Sequence, residues 1–291
     1  MKKEEKQALL ALPIILIIAA GLALAGSQNG KNYSGIPIYG IAIALAFIIQ
    51  WLAFIPAFLK KTESFFDLTG SITYILVTII SVILSAKFDM RSLILMVIII
   101  LWAARLGLFL FKRIHAAGED RRFREIKTSF LRFLMTWTLQ GLWVSFSLAA
   151  ALAVITAQKQ VTFDVFAIIG ILVWAFGFGI EVIADRQKSL FKADPENKGR
   201  FIQSGLWSWS RHPNYFGEIV LWIGVAIITL PVLQGWQWLT LISPVFIILL
   251  LTRISGVPML EKRADEKWGG QEDYESYKNR TSVLVLRPPS K

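Results

Sequence analysis

The stretch "TFDVFAIIGILVWAFGFGIEVIADRQKSLFK", Thr162 to Lys192, decides the fold. From Val165 to Ile180 it carries no charge. An α-helix needs about 20 mostly apolar residues to cross the hydrocarbon of a bilayer. There the backbone has no water to bond to, so a lone segment must be helical. The run then changes character. Glu181, Asp185, Lys188 and Lys192 follow at spacings of four, three and four, which puts all four on one helical face. The piece "GFGIEV" at Gly177 lacks the third glycine of a dinucleotide fingerprint and sits within a helix, so it is no Rossmann turn.

Working outward, similar apolar segments occupy about 8–26, 36–59, 71–86, 92–111, 133–157, 216–234 and 236–252. The expected fold is all-α, a polytopic transmembrane bundle of seven to eight spans. Composition agrees: 291 residues, 55% of them hydrophobic, with a mean hydropathy of +0.57. The chain has no cysteine, which excludes disulfides, thiol catalysis and cysteine-ligated metals. Two histidines, His115 and His212, argue against a zinc site, and no metal is expected.

The net charge is +11. In a soluble domain that would suggest nucleic acid; here the positive-inside bias of membrane loops explains it, and no nucleic acid is expected. With the N-terminus inside, loops 1–7, 60–70, 112–132, 185–215 and 253–291 hold 26 of the 31 Lys and Arg residues. Both termini are therefore expected in the cytoplasm. Residues 1–35 are read as an N-terminal transmembrane helix. Lys2, Lys3 and the later Ala23-Leu24-Ala25 imitate a signal peptide, but the run is long for one and favours a retained anchor. Residues 36–291 form the main membrane domain, with 181–291 as its cofactor-binding part. Nothing in the sequence specifies an oligomer.

The loops on the inner side are long and polar, so chemistry is expected there. A salt-bridged, snorkelling helix end accounts for the Glu181–Lys192 face; so does a polar wall, which Glu181 favours because a carboxylate inside a span is costly. Next comes "GLWSWSRHPNYFGEI", Gly205–Ile219. Ser210 is a good N-cap and Pro213 suits a first turn, so a helix should begin at "HPNYFGE". Its N-terminus suits an anion, and Arg211 and His212 add donors. Asn214 and Glu218, four apart, point along the helix into the membrane. An interfacial aromatic belt explains Trp207, Trp209 and Tyr215, but neither Asn214 nor Glu218.

After the last span, "RISGVPMLEKRADEKWGGQEDYESYKNRTSVLVLRPP" places Arg253 at the membrane edge. Glu261, Tyr274 and Tyr277 either fold back over a pocket or belong to an amphipathic interfacial segment. Upstream, Asp67 opens the third span and Arg105 lies in the fourth. They are either a structural ion pair or a polar handle for a substrate carbonyl. The loop "GEDRRFRE", Gly118–Glu125, reads as a solvated basic loop.

Four blocks, "ESFFDLTGS" (63–71), "RLGLFLFKRIHAAGEDRRF" (105–123), "ADRQK" with "GLWSWSRHPNYFGEI", and "SGVPMLE" (255–261), together resemble the bacterial membrane proteins related to steroid 5-alpha-reductase. The likeness runs from about residue 45 to 289, and "SRHPNYFGE" is its most specific part. More distantly, the last third is similar to sterol reductases and isoprenylcysteine carboxyl methyltransferases.

The resemblance implies a multi-pass protein of the bacterial inner membrane that takes a hydrophobic substrate from the bilayer. NADPH would give hydride to a C=C bond conjugated to a carbonyl. It also implies that Asn214 and Glu218 approach the nicotinamide, with Glu218 as a catalytic residue, and that Tyr215 helps to bind the cofactor. Glu181, Asp185, Arg211, His212, Arg253, Glu261, Tyr274 and Tyr277 would hold the rest of the cofactor. Lys188 and Lys192 stand where that branch has arginines, and Glu181 where it has an amide. Asp67 and Tyr74 are the candidates for polarising the carbonyl, since a carboxyl group buried in lipid can remain protonated. Two other readings stand beside this one: an S-adenosylmethionine-dependent methyltransferase, and a lipid-binding protein without catalysis.

Overall fold

A computed structural model describes residues 2–86, 88–117, 120 and 123–289, the side chains of 115–117 excepted; much of the "GEDRRFRE" loop and the side chain of His115 therefore lie outside the described residues. The chain is nearly all helix. Its helices are α1 (Lys3–Ser27), α2 (Ile38–Leu59), α3 (Phe66–Ser85), α4 (Met90–Ala117), α5 (Phe130–Thr156), α6 (Val165–Ala193), α7 (Pro213–Thr229), α8 (Ile242–Leu249), α9 (Val257–Trp268) and α10 (Glu272–Arg280). The only strands among the described residues are two-residue pieces, Asn32–Tyr33 and Ile36–Pro37, paired antiparallel before α2.

Among the described residues, seven helical runs are long and apolar enough to cross a membrane; α7 is a shorter apolar helix. This agrees with the seven to eight spans expected, and the protein is an integral, multi-pass membrane protein in a lipid environment. The last run, Gly235–Trp268, is composite: a 3-10 turn, α8, a π-helical turn at Leu250–Ile254, and then α9. The apolar stretch 236–252 is therefore followed by a further amphipathic helix that hydropathy alone does not mark.

The helices form two compact units, residues 1–166 with 229–243, and residues 167–228 with 244–291. In the first, α5 is the innermost helix, packed by α1, α2 and α3. Its half from Ser147 to Thr156 is wholly buried, and Ala149, Ala150 and Ala151 let neighbours approach closely. Polar side chains on α3 are hidden by a local device. Thr73, Thr78 and Ser81 each donate to the carbonyl four residues back, at 2.7 to 2.8 Å. This satisfies a hydroxyl where no water reaches it. At one end of this unit, Phe54, Phe123, Phe133 and Trp137 form an aromatic cluster. Glu63, buried beside it, accepts from Lys127 Nζ at 2.7 Å and from the Asp120 amide at 3.0 Å, which ties down the segment before α5.

The second unit is built on α6 and α7, with α9, α10 and the C-terminal tail folded onto their polar ends. Along α6, Leu172 and Phe176 are exposed, as a lipid-facing side requires. The opposite side of α6 meets α7.

Candidate functional site

Glycines make the α6–α7 contact. Gly170 and Gly177 on α6, and Gly217 and Gly224 on α7, are each seven apart and so share a face. A Cβ on Gly177 would lie 2.5 Å from the Leu221 amide nitrogen, and one on Gly217 would lie 2.6 Å from that of Glu181. The two backbones touch, which is how helices associate where lipid removes the hydrophobic driving force. One turn before Gly217, the Asn214 amide donates to Asp185 at 3.2 Å. Glu181 and Asp185 are both buried, at 2% and 5% exposure.

The segment between α6 and α7 then wraps around the end of α6. Gly205, at φ +61°, makes a turn that a side chain would strain, and a Cβ there would strike Gln187. Trp207 lies inside this turn, donating from its indole to Ala184 O at 3.0 Å. Lys188 Nζ sits 4.3 Å from the centre of the Trp207 ring. α7 begins at Pro213, as the sequence suggests, and Ser210 Oγ accepts from the His212 amide at 3.1 Å.

The C-terminal tail folds back along this wrap. Tyr277 OH donates to Trp207 O at 2.7 Å, the Arg211 amide to Ser282 O at 2.8 Å, Ser210 Oγ to Leu284 O at 2.8 Å, and the Arg287 amide to Trp209 O at 3.1 Å. The tail thus lies against residues 207–211. Tyr274 and Tyr277 are buried, and burial pushes both phenols above their usual range. Tyr274 OH and Lys278 Nζ both donate to Asp265, at 2.9 and 2.8 Å.

Glu261, on α9, closes the arrangement. Its carboxylate meets Arg211 at 2.9 Å and His212 Nε2 at 2.7 Å. His212 is 5% exposed and stacks on Tyr215, ring centres 5.8 Å apart. Two effects compete at this imidazole. Burial lowers its pKa, Glu261 raises it, and burial prevails, so the group is held below the ordinary 6.5. The neutral ring donates from Nε2 to Glu261. That leaves Nδ1 as a buried acceptor without a hydrogen-bond partner among the described residues.

These parts enclose a cavity of about 290 Å³. Six cations line it: Lys188, Lys192, Arg200, Arg211, Arg263 and Lys267. Its aromatic wall is Phe191, Phe201, Trp207, Trp268, Tyr274 and Tyr277, with His212 and Glu261 also lining it. Phe201 meets Tyr274 edge-on at 5.3 Å and Tyr277 at 5.4 Å. Such a space suits an anionic ligand with a flat ring: the cations pair its charge and the aromatic rings take its face.

Seven of the sequence candidates line this cavity: Lys188, Lys192, Arg211, His212, Glu261, Tyr274 and Tyr277. Glu181, Asp185 and Asn214 lie at the α6–α7 contact instead, and Tyr215 lies against His212. Glu218 is half-buried one turn beyond Asn214, and Arg253 is exposed at the π-helical turn. Asp67 and Tyr74 belong to the other unit, two turns apart on α3, where Tyr74 meets Trp102 edge-on at 5.1 Å. Arg105 lies 5.3 Å over the Phe109 ring. Arg200, Phe201, Arg263, Lys267 and Trp268 were not among the candidates. The signal for three of them was present: Leu260, Arg263, Ala264, Lys267 and Trp268 recur at helical spacing on α9.

No solved structure matches the chain. Over 73 residues it is 33% identical to steroid 5-alpha-reductase DET2 of Arabidopsis thaliana, which covers 24% of this chain and 25% of that protein. Over 58 residues it is 34% identical to probable O-methyltransferase ustE of Ustilaginoidea virens, covering 20% of each. The chain thus matches no more than a quarter of the length of either relative. Over most of its length, residues 53–281, it matches one family, and it belongs to that family, described as "Protein of unknown function (DUF1295)".

Proposed function

We propose that the chain is a membrane-embedded, NADPH-dependent reductase acting on the C=C bond of a lipid-soluble enone, such as a steroid-like, isoprenoid or fatty compound. One observation carries this reading: six cations and an aromatic wall share one cavity, where Glu261, itself paired, is the single carboxylate among the described lining residues. Phosphates need such a cluster, and S-adenosylmethionine, which has none, does not. Similarity to a steroid 5-alpha-reductase supports the same reading. Similarity to a probable O-methyltransferase keeps a methyl transfer as the second one.

On this proposal Lys188, Lys192, Arg200, Arg263 and Lys267 pair the phosphates, while Arg211 is set in place by Glu261. The His212 Nδ1 lone pair accepts from an N–H of the cofactor. Asn214, held by Asp185, and Glu218 orient the nicotinamide amide. Bound NADPH supplies the hydride. For the balancing proton the candidates remain Asp67 and Tyr74, since an acid that polarises the carbonyl would stabilise the charge that develops on it. The proposal includes a bacterial inner membrane location, with this cavity on the cytoplasmic side.

Thermal unfolding of the detergent-purified chain tests the cofactor. NADPH is expected to raise the midpoint, and Lys188→Gln with Lys267→Gln to weaken that shift by tenfold or more in ligand concentration. Stabilisation by S-adenosylmethionine and not by NADPH overturns the reductase reading. Asp67→Asn is expected to abolish turnover and leave NADPH binding intact; an active Asp67→Asn variant removes the acid from the scheme.

A further inference from the structure

A second cavity, of about 540 Å³, lies in the other unit, where the first turn of α1 meets the turn before α5. Lys2, Lys3, Arg124 and Arg132 line it, with Glu4, Glu125 and Thr128. Arg132 pairs with Glu4 at 2.6 Å, and Ser129 Oγ donates to Glu5 at 3.0 Å. These two contacts hold the ends of α1 and α5 together. The segment carrying Arg124 is fixed at its base by Glu63, through Lys127 and the Asp120 amide. The cationic groups are thus presented by tethered backbone.

Just beyond the cavity, both helices turn apolar. Leu9 and Leu10 on α1 are 47% and 67% exposed, and Phe130 at the start of α5 is 49% exposed. The cavity therefore stands where charge gives way to a lipid-facing surface. Over the lining as a whole four cations, Lys2, Lys3, Arg124 and Arg132, face two carboxylates, Glu4 and Glu125.

We propose that this cavity binds the phosphate of an anionic lipid headgroup, with the acyl chains lying along Leu9, Leu10 and Phe130. Ammonium and guanidinium groups both pair with phosphate oxygens. Cations next to a membrane surface each add to the attraction for an anionic lipid. A free phosphate offers the same headgroup chemistry but nothing for the apolar rim, so the rim favours the lipid. The site lies outside the proposed nucleotide cavity, and its test does not depend on that cavity's ligand.

The test uses the full chain in neutral detergent, with thermal unfolding followed as lipid is added. The probes are phosphatidylglycerol, phosphatidylcholine of the same acyl chains, and inorganic phosphate. A variant combines Lys2→Gln, Lys3→Gln and Arg124→Gln. Its control removes three exposed cations of the same unit away from the cavity: Lys60→Gln, Lys61→Gln and Lys112→Gln. Arg132 is left alone because it pairs with Glu4.

Phosphatidylglycerol is expected to stabilise the parent chain at lower concentration than phosphatidylcholine. The cavity variant should need on the order of tenfold or more phosphatidylglycerol, and the control should match the parent. Arg124→Gln alone leaves α1 untouched and should show part of the loss, which covers the case of a triple variant that fails to fold. Equal losses in the triple variant and the control mean diffuse surface charge and overturn the site. Stabilisation by inorganic phosphate equal to that by phosphatidylglycerol overturns the lipid assignment, as does indifference between the two lipids.

Discussion

Helix α3 and the 205–215 segment satisfy their polar groups in different ways. On α3, Thr73, Thr78 and Ser81 bond back to their own helix, four residues away. In the 205–215 segment the partners are distant: Tyr277 reaches Trp207 across 70 residues, and Glu261 reaches His212 across 49. A back-bonded hydroxyl needs nothing beyond its own helix. A carboxylate held by an arginine and a histidine from another segment exists only when the tertiary fold is complete. Long-range polar bonding therefore holds the 205–215 segment in place, whereas these α3 hydroxyls are satisfied within their own helix.

The strongest way to break that contrast is to break the backbone contact beneath the site. Gly217→Leu would drive a side chain into the Glu181 amide, which is backbone and cannot swing aside. The expected cost is about 3 kcal/mol or more, at the upper end of overpacking penalties. Thermal unfolding should show loss of the second unit's stability, and NADPH should no longer shift the midpoint. A Gly217→Leu chain as stable as the parent would mean that α6 and α7 do not touch as described.

Glu261→Ala comes next. It leaves Arg211 and His212, both largely buried, without their carboxylate. A buried donor left unsatisfied costs about 1–3 kcal/mol. The same change removes the only acid among the described residues lining the cationic cavity. Stability should fall while nucleotide affinity, measured at a temperature where the variant stays folded, changes less than it does in Lys188→Gln with Lys267→Gln. If Glu261→Ala instead abolishes binding with stability intact, Glu261 touches the ligand directly.

His212 gives the contrast a pH signature. Its pKa is lowered in the folded chain, so between the folded value and 6.5 the unfolded chain binds the extra proton. Stability contributed by this group is therefore full above 6.5 and declines as the pH falls from there toward the folded value. Lys188 and Arg211 add to the lowering and Glu261 opposes it. Unfolding midpoints measured from pH 8 to pH 5 should fall more steeply for the parent than for His212→Gln. Parallel curves would mean that His212 is not held neutral.

Some of this was legible in the sequence. Span count and helix boundaries such as Pro213 follow from hydropathy and from Ser210 and Pro213 themselves, because lipid leaves the backbone few alternatives. The chemistry-bearing stretch was visible too, since charge in an apolar chain stands out. The partners were not. The four residues of the α6 face, Glu181, Asp185, Lys188 and Lys192, look equivalent at helical spacing. The structure divides them, Glu181 and Asp185 toward α7, and Lys188 and Lys192 toward the cavity. That division depends on where α9 and the tail arrive, which no local pattern encodes. The glycine pairs at 170/177 and 217/224 were readable as a seven-residue repeat of small residues. Their meaning required knowing that the two helices face each other.

The smallest expected effect belongs to the first unit. Thr78 is fully buried, and its hydroxyl donates to Tyr74 O at 2.8 Å. That carbonyl also stands in the helical ladder, so removing the hydroxyl leaves no backbone group without a partner. Thr78→Val replaces the hydroxyl by a methyl of similar size and takes a polar group out of an apolar environment. Exchanging a locally satisfied donor for an apolar group is close to neutral. The midpoint is expected to move by about 0.5 kcal/mol or less in equivalent stability, in either direction. Tyr277→Phe is the matched change in the second unit, where Trp207 O loses its long-range donor, and it should cost about 1 kcal/mol. Equal effects from the two substitutions would dissolve the distinction between local and long-range polar bonding. A larger loss from Thr78→Val would invert it and place an unrecognised polar site on α3, the helix that also carries Asp67 and Tyr74.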